Sequence, residues 1–258
     1  MDIENEYYQE LLRISKIGDR SEIKQKVDHL NGALSVIKIQ LEIYLTSISA
    51  APLNESMMDI FGQHLKLEDI LDITNNGQRI APDSTHVLNF NYTKNIDRYF
   101  NGSAGRPLAT AVYINYIHGK INTPTNPLIF GFGDEMDDHY KILEKLNYNG
   151  FLDNMKSFGY FSTENYQNLI RFIKDEEFEV YIMGHSCGLS DRVMLNMIFE
   201  HVNCKSIRIF YHQTNTGDNF KTLTQEISRH FNVKTSMRKK IVPFSKSVPL
   251  PQAAAKIS

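Results

Sequence analysis

The order of apolar and polar positions divides the chain into a helical first part and an alternating second part. After Ile23, apolar side chains recur in alternating steps of four and three residues, at Val27, Leu30, Leu34, Ile37, Leu41 and Tyr44. That spacing places them on one stripe of a helix, and Val36, Ile39 and Ile43 add a second stripe. The pattern predicts a helix buried on two sides, in the core or between domains; a coiled-coil or oligomer seam is the alternative.

After about residue 80, strand-like runs alternate with helical stretches. The predicted strands cover residues 85–91, 109–118, 127–131, 179–183 and 206–211, and the clearest helices cover 93–100, 190–201 and 218–231. Such alternation is typical of βαβ units. We therefore predict an α/β fold with a mostly parallel, Rossmann-like sheet flanked by helices. In this prediction a helical region covers residues 1–80, the α/β domain 81–243 and a flexible tail 244–258.

Composition narrows the classes of function. The formal net charge of −2 argues against a nucleic-acid-binding surface that depends on bulk charge. Cys187 and Cys204 are the only cysteines, which favours a reducing compartment, and no Cys/His group has the spacing of zinc ligands. No apolar signal segment opens the chain, and no window approaches the ~18 consecutive apolar residues of a membrane span. We expect a cytoplasmic protein with neither a metal nor a membrane partner.

Polar motifs lie at the ends of four apolar runs. They are Asn89-Phe90-Asn91-Tyr92-Thr93, His118-Gly119, Gly131-Phe132-Gly133-Asp134 and Gly184-His185-Ser186-Cys187-Gly188. In open α/β sheets, ligands bind in the crevice beyond the carboxyl ends of the strands. Asparagine, histidine, aspartate and glycine at those positions suit a nucleotide or a sugar better than a core. We therefore expect an enzyme, or what remains of one.

Two of these motifs carry candidate reaction chemistry. His118 ends an apolar strand, where an imidazole can accept a proton near neutral pH; a structural histidine is the alternative. Asn89 and Asn91 share one face of their strand, opposite Phe90, and an amide can orient a water or a sugar hydroxyl. Turn or capping chemistry, with Thr93 as the helix cap, is the other explanation of this motif.

The segment around Ser186 matches the Gly-x-Ser-x-Gly nucleophile elbow of α/β-hydrolases and lies between a strand and a helix. That chemistry needs an acid and a histidine near later strand ends, and Asp218 and His230 are the candidates. Only one predicted strand follows, so we favour a small-residue turn that lets a phosphate or ribose approach the helix N-terminus. Asp191 then either complements the helix charge or binds ligand hydroxyls.

Taken in order, these motifs resemble the AbiH family of bacterial abortive-infection proteins, which is similar to the sirtuin-like NAD-binding fold. The resemblance covers roughly residues 85–212. It implies that Asn91 lies near the nicotinamide ribose and that His118 is the catalytic histidine. It also implies that Gly184–Ser186 contacts the adenosine half, whereas Thr93 stands where sirtuin-like enzymes usually carry aspartate. The nucleotide-binding residues we expect are Asn89, Thr93, Gly131, Gly133, Asp134, Gly184, His185, Ser186 and Asp191. In a second register, residues 93–97 resemble the sirtuin Thr-Gln-Asn-Ile-Asp, which would give the role of Asn91 to Asn95.

One departure from the family pattern lies at the N-terminus. The family opens with a strand followed by Gly-Asn-Gly-Phe-Asp, and residues 1–50 contain no match to it. The departure predicts an exposed sheet edge, covered by a partner or by the N-terminal helices.

The resemblance implies an effector of phage defence that binds NAD and hydrolyses its N-glycosidic bond. A catalytically inactive sirtuin-like sensor or scaffold is the second hypothesis, and a serine hydrolase is the third. Besides the nucleotide, the expected partner is a second copy or another defence protein, bound through the N-terminal helices.

Overall fold

A computed structural model describes residues 3–48, 52–62, 65–66, 79–80, 82–100 and 111–252. The first helices are α1 (Ile3–Ile14), α2 (Arg20–Ser47), α3 (Glu55–Phe61) and α4 (Asp97–Phe100). The later helices are α5 (Tyr140–Lys145), α6 (Lys156–Gly159), α7 (Asn165–Asp175), α8 (Arg192–Glu200), α9 (Phe220–Ser228) and α10 (Lys234–Lys240). The strands are β1 (Leu65–Lys66), β2 (Arg79–Ile80), β3 (Ser84–Asn89), β4 (Ala111–Tyr116), β5 (Phe178–Met183), β6 (Cys204–Phe210), β7 (Gln213–Thr214) and β8 (Gly217–Asp218).

The strands of the described residues pair two by two. β3 pairs with β4 in parallel, and β5 pairs with β6 in parallel with one irregularity at its start. β1 with β2 and β7 with β8 are short antiparallel pairs. The α/β class is therefore confirmed. The single large parallel sheet is not formed among these residues, because β3 and β5 lie on either side of a cleft instead of pairing.

The run at 127–131, predicted as a strand, forms none. The chain turns at Gly119, and the Ile129 amide donates to the His118 carbonyl at 2.8 Å. Phe132 then makes an isolated bridge with Met155. The segment therefore folds across the carboxyl end of β4 rather than running beside it, which explains an apolar pattern without a strand.

Helix α2 is confirmed, but the prediction that it is buried on two sides is wrong for its second half. Asp19 caps the helix by accepting hydrogen bonds from the amides of residues 21 and 22, and Val27 and Leu34 are buried. Helix α1 and the segment around Phe151 cover only this first half. Beyond it the helix carries apolar side chains between 40% and 62% exposed: Val36, Ile37, Ile39, Ile43 and Tyr44. Although α2 has 28 residues, no helix in the described part of the chain has the combined length and apolarity that a bilayer requires.

Two apolar clusters organise the molecule. One joins the parallel strand pairs to helices α7, α8 and α9. The other packs α1 and the first half of α2 against the segment 130–155. At the C-terminal end, the amide of Leu250 donates to the carbonyl of Tyr211 at 2.7 Å, so residues 244–252 of the predicted tail lie beside β6. Residues 253–258 lie outside the described residues.

Candidate functional site

A buried carboxylate, Asp191, organises the region at the carboxyl ends of β4 and β5. It ends a 3-10 turn that leads into α8. Its Oδ1 accepts hydrogen bonds from His118 Nε2 and Lys156 Nζ, both at 3.0 Å, and its Oδ2 lies 3.6 Å from His185 Nε2. Burial alone would raise the pKa of Asp191, but the two histidines and the lysine charge hold it well below its usual value. Asp191 is therefore ionised at neutral pH.

Lys156 connects this carboxylate to the N-terminal helix. It is the first residue of α6, its side chain is 1% exposed, and its Nζ lies 2.9 Å from Glu4 Oε2. Glu4 Oε1 also accepts the amide of Gly131 at 3.0 Å. Burial would lower the pKa of Lys156, but the two carboxylates outweigh it and raise the pKa, so the ammonium stays charged. Sequence reasoning identified neither Lys156 nor Glu4, since both lie in stretches with no local motif.

His118 is held in one tautomer beneath an aromatic cover. Its Nε2 bonds Asp191 and lies 3.3 Å from the Tyr160 hydroxyl. A carboxylate only accepts, so Nε2 carries the proton and Nδ1 keeps a lone pair. Burial, the largest influence, lowers the pKa of His118, and the ring is neutral at pH 7. The Phe90 ring lies edge-on to it at 5.1 Å, and His118 does not line the neighbouring cleft.

A cleft of about 2230 Å³ opens beside the cluster. At its end nearest the cluster it is lined by Asn89, Phe90, Asn91, Thr93, Gly184 and His185. Asn89 is buried, and its Oδ1 accepts the amide of Asn91 at 3.1 Å. Asn91 itself is exposed to the cleft, as is Gly184 across from it. Asn91 and Gly184 therefore share the cleft, whereas His118 lies beneath the ring of Phe90.

His185 is the histidine that joins the cleft to the buried cluster. Its ring packs against Phe90 at a centroid distance of 4.0 Å. Its Nδ1 accepts the amide of Cys187 at 3.0 Å, which leaves Nε2 to face Asp191. Cys187 adopts φ +55 in this turn, so the Gly184–Gly188 segment is a tight loop that fixes the imidazole. His185 thus lies beside both the ionised cluster and the open cleft.

The Gly131–Asp134 loop packs beneath the cluster instead of lining the cleft. A Cβ at Gly131 would lie 1.9 Å from the Asn154 carbonyl oxygen, and one at Gly133 would lie 2.4 Å from the Ser190 carbonyl oxygen. Asp134 is buried and pairs with Arg192 at 3.2 Å. These glycines therefore permit close backbone approach, and Asp134 anchors the start of α8.

The residues of the serine-hydrolase hypothesis do not converge among the described contacts. Ser186 is exposed, whereas His230 is buried with its Nε2 2.7 Å from the Cys187 carbonyl oxygen. Asp218 accepts the amide of Phe220 at the start of α9. An elbow mechanism needs the hydroxyl and the imidazole within hydrogen-bond reach, which this arrangement does not provide.

Three histidines that are partly or fully withdrawn from water predict that acid destabilises the fold. Burial lowers the pKa of His86 to about 4 and lowers the pKa values of His118 and His230. In the unfolded protein these histidines take up protons below about pH 6.5, whereas in the folded protein they remain neutral to lower pH. The free energy of unfolding therefore decreases as the pH falls from about 7 towards 5. We expect His86→Phe, which keeps the ring contact with Phe172, to flatten the pH dependence of the urea midpoint. An unchanged slope in that variant would contradict the assignment.

Comparison with known families agrees with the strand-end motifs. The family model "Bacteriophage abortive infection AbiH" matches residues 2–213, which includes α1 and α2 as well as the cluster. No curated protein and no solved structure is significantly similar to the chain. The family match covers well over half of the sequence. The chain therefore belongs to the AbiH family of bacteriophage abortive-infection proteins.

Proposed function

We propose that this AbiH protein binds NAD in the cleft and hydrolyses its N-glycosidic bond. The observation that carries the proposal is the buried group of Asp191, Lys156 and His118, which lies directly beside an open cleft at the carboxyl ends of parallel strands. Fixed charges and perturbed pKa values next to a cleft are typical of catalytic sites. The position is also where ligands bind in open α/β folds.

The cleft end offers suitable groups for a dinucleotide. Asn91 and Thr93 present an amide and a hydroxyl to ribose oxygens, and His185 lies across from them. Gly184 adopts φ +78, and a Cβ there would meet only the Leu250 side chain at 3.7 Å. The backbone at Gly184 therefore leaves room for a phosphate or ribose, as the sequence motif predicts.

In the proposed reaction, water attacks the anomeric carbon of the nicotinamide ribose and the C–N bond breaks. The bond electrons leave with nicotinamide, which departs as a neutral ring. Asn91 orients the water, and the Nδ1 lone pair of His118 accepts its proton. Asp191 then stabilises the imidazolium through Nε2. Since Phe90 covers His118, the proposal requires its side chain to turn aside when substrate enters.

The test is nicotinamide release from NAD by the purified protein, with and without lysate of phage-infected cells. We expect His118→Ala to reduce the rate by about 100-fold or more, the usual scale of general base catalysis. The control is His29→Ala, which removes an exposed histidine from α2 and should leave the rate unchanged. The proposal fails if the wild-type protein releases no nicotinamide in either condition, or if both variants match it.

One observation favours the second candidate function, an inactive sensor or scaffold. The lysine of the cluster bonds Glu4 of α1 as well as Asp191, so the cluster also holds the N-terminal helices to the strand ends. In that case the exposed apolar half of α2 would be the assembly surface, and His118→Ala would change the melting temperature without any nicotinamide signal to lose. The same assay therefore separates the two functions.

A further inference from the structure

We propose that the space between β3 and β5 is a strand slot, which binds an extended segment of a partner polypeptide. The strand slot is defined by residues 84–89 on one side and 178–183 on the other. The proposal concerns a protein interface along the length of the cleft and is independent of the chemistry at its carboxyl end.

The first observation is that two free strand edges border the same cleft. Every residue of β3 and every residue of β5 lines it. Among the described residues, β3 is hydrogen-bonded to β4 alone and β5 to β6 alone. In a parallel ladder, a strand paired on one side directs part of its amides and carbonyls away from its neighbour. Within the described ranges, both edges therefore offer main-chain groups without a strand partner to whatever occupies the slot.

The second observation is that β3 and β5 run in the same direction and that both pack on helix α7. Near their carboxyl ends, the rings of Phe90 and His185 lie 4.0 Å apart. Towards the amino ends of the strands, the ring of Phe172 in α7 packs near the rings of His86 in β3 and Phe178 in β5. The ring-centroid distances are 4.8 Å and 6.4 Å. Helix α7 thus spans the slot beneath both strands. Six residues at about 3.3 Å each give the slot a length of about 20 Å.

The third observation is a set of buried polar atoms that have no hydrogen-bond partner among the described residues. His86 Nε2 and Asn89 Nδ2 belong to β3, and Glu179 Oε2 belongs to β5, its other oxygen being bound to Ser206. Native proteins satisfy nearly all such atoms. All three residues line the slot, so both of its borders carry polar side chains whose hydrogen-bonding capacity is not met within the described residues.

The size and lining of the cleft identify the occupant as polypeptide. Its volume of about 2230 Å³ far exceeds the roughly 300–1,000 Å³ of a small-molecule site, so a dinucleotide leaves most of it open. The aliphatic lining includes Val87, Val180, Ile182, Leu195 and Ile198. A strand covered on its faces carries apolar side chains, so the expected segment is extended and rich in valine or isoleucine.

The test uses a fluorescein-labelled peptide of three Val-Thr repeats flanked by lysines, with the full chain. Its matched control has the same side chains but N-methyl groups on alternate amides, which removes backbone donors. We expect saturable binding of the first peptide by fluorescence anisotropy and none of the second. Hydrogen exchange should show the amides of β3 and β5 slowed at least tenfold by the peptide, with the β7–β8 hairpin unchanged.

Three outcomes would overturn the proposal. Equal binding of both peptides would mean that the cleft recognises side chains only, and no binding at about 1 mM would mean that the edges do not accept a strand. Strong protection of β3 and β5 before any peptide is added would mean that the slot is already filled. Light scattering would then distinguish a second copy in the slot from an intramolecular occupant.

Discussion

Replacement of Lys156 by methionine is expected to lower the free energy of unfolding by about 3–5 kcal/mol. The ammonium lies between Glu4 and Asp191, both largely buried, at 2.9 Å and 3.0 Å. Methionine preserves much of the side-chain volume but leaves two carboxylates without their shared cation. The cost is that of an uncompensated buried charge, which exceeds the loss of one hydrogen bond. Urea unfolding at pH 7.5, followed by circular dichroism, measures it.

Two further variants make that measurement specific. Lys141→Met removes an exposed lysine whose partner Asp138 is also exposed, and a change within about 0.5 kcal/mol is expected. The double variant Lys156→Met/Asp191→Asn should recover part of the loss, because it removes one of the stranded charges. If Lys156→Met costs no more than Lys141→Met, the cluster does not stabilise the fold.

Substitution of Gly119 by alanine should destabilise the protein by at least about 2 kcal/mol. Gly119 adopts φ +90 immediately after His118, a conformation that L-residues rarely populate. An added Cβ would lie 2.1 Å from the carbonyl oxygen of Pro127 and 2.6 Å from its carbon, and both atoms belong to backbone that cannot rotate away. The turn must open, and the imidazole of His118 moves with it.

The matched control is Gly32→Ala in helix α2, where an added Cβ meets nothing within 4 Å. There alanine should stabilise the protein by about 0.5–1 kcal/mol, because it restricts the unfolded chain and favours the helix. Thermal unfolding of both variants decides the matter. A Gly119→Ala protein as stable as wild type would show that the turn after β4 is looser than described.

Local periodicity predicted most of the helices and strands after residue 80, because each depends on a few neighbouring residues, but its strand at 127–131 was wrong. The predicted strands at 179–183 and 206–211 correspond to β5 and β6 within two residues, and the helix at 190–201 corresponds to α8. Strand pairing depends on residues far apart in the chain, so the sequence could not show that β3 and β5 stay separate. The same limit explains α2, whose apolar stripe continues past the residues available to cover it.

The part of the candidate site that lies at the strand ends could be predicted from the sequence motifs. His118, His185 and Asp191 meet because each follows or precedes an element whose end lies at the same edge, and the motifs marked those ends. Lys156 and Glu4 belong to no motif, and only the folded chain brings them to Asp191. The burial of His118 was not predicted either. The alternation of side chains along the strand showed that Phe90 points away from Asn89 and Asn91, but it could not show that Phe90 covers the ring of His118.

The ion cluster joins positions separated by 152 and 35 residues along the chain, which has a consequence for biosynthesis. At a translation rate of roughly 5–20 residues per second, Glu4 waits about 8–30 s before Lys156 is even synthesised. Asp191 and the turn before it follow later still. A nascent chain on the ribosome therefore cannot complete the cluster until Glu4, Lys156 and Asp191 have all been synthesised.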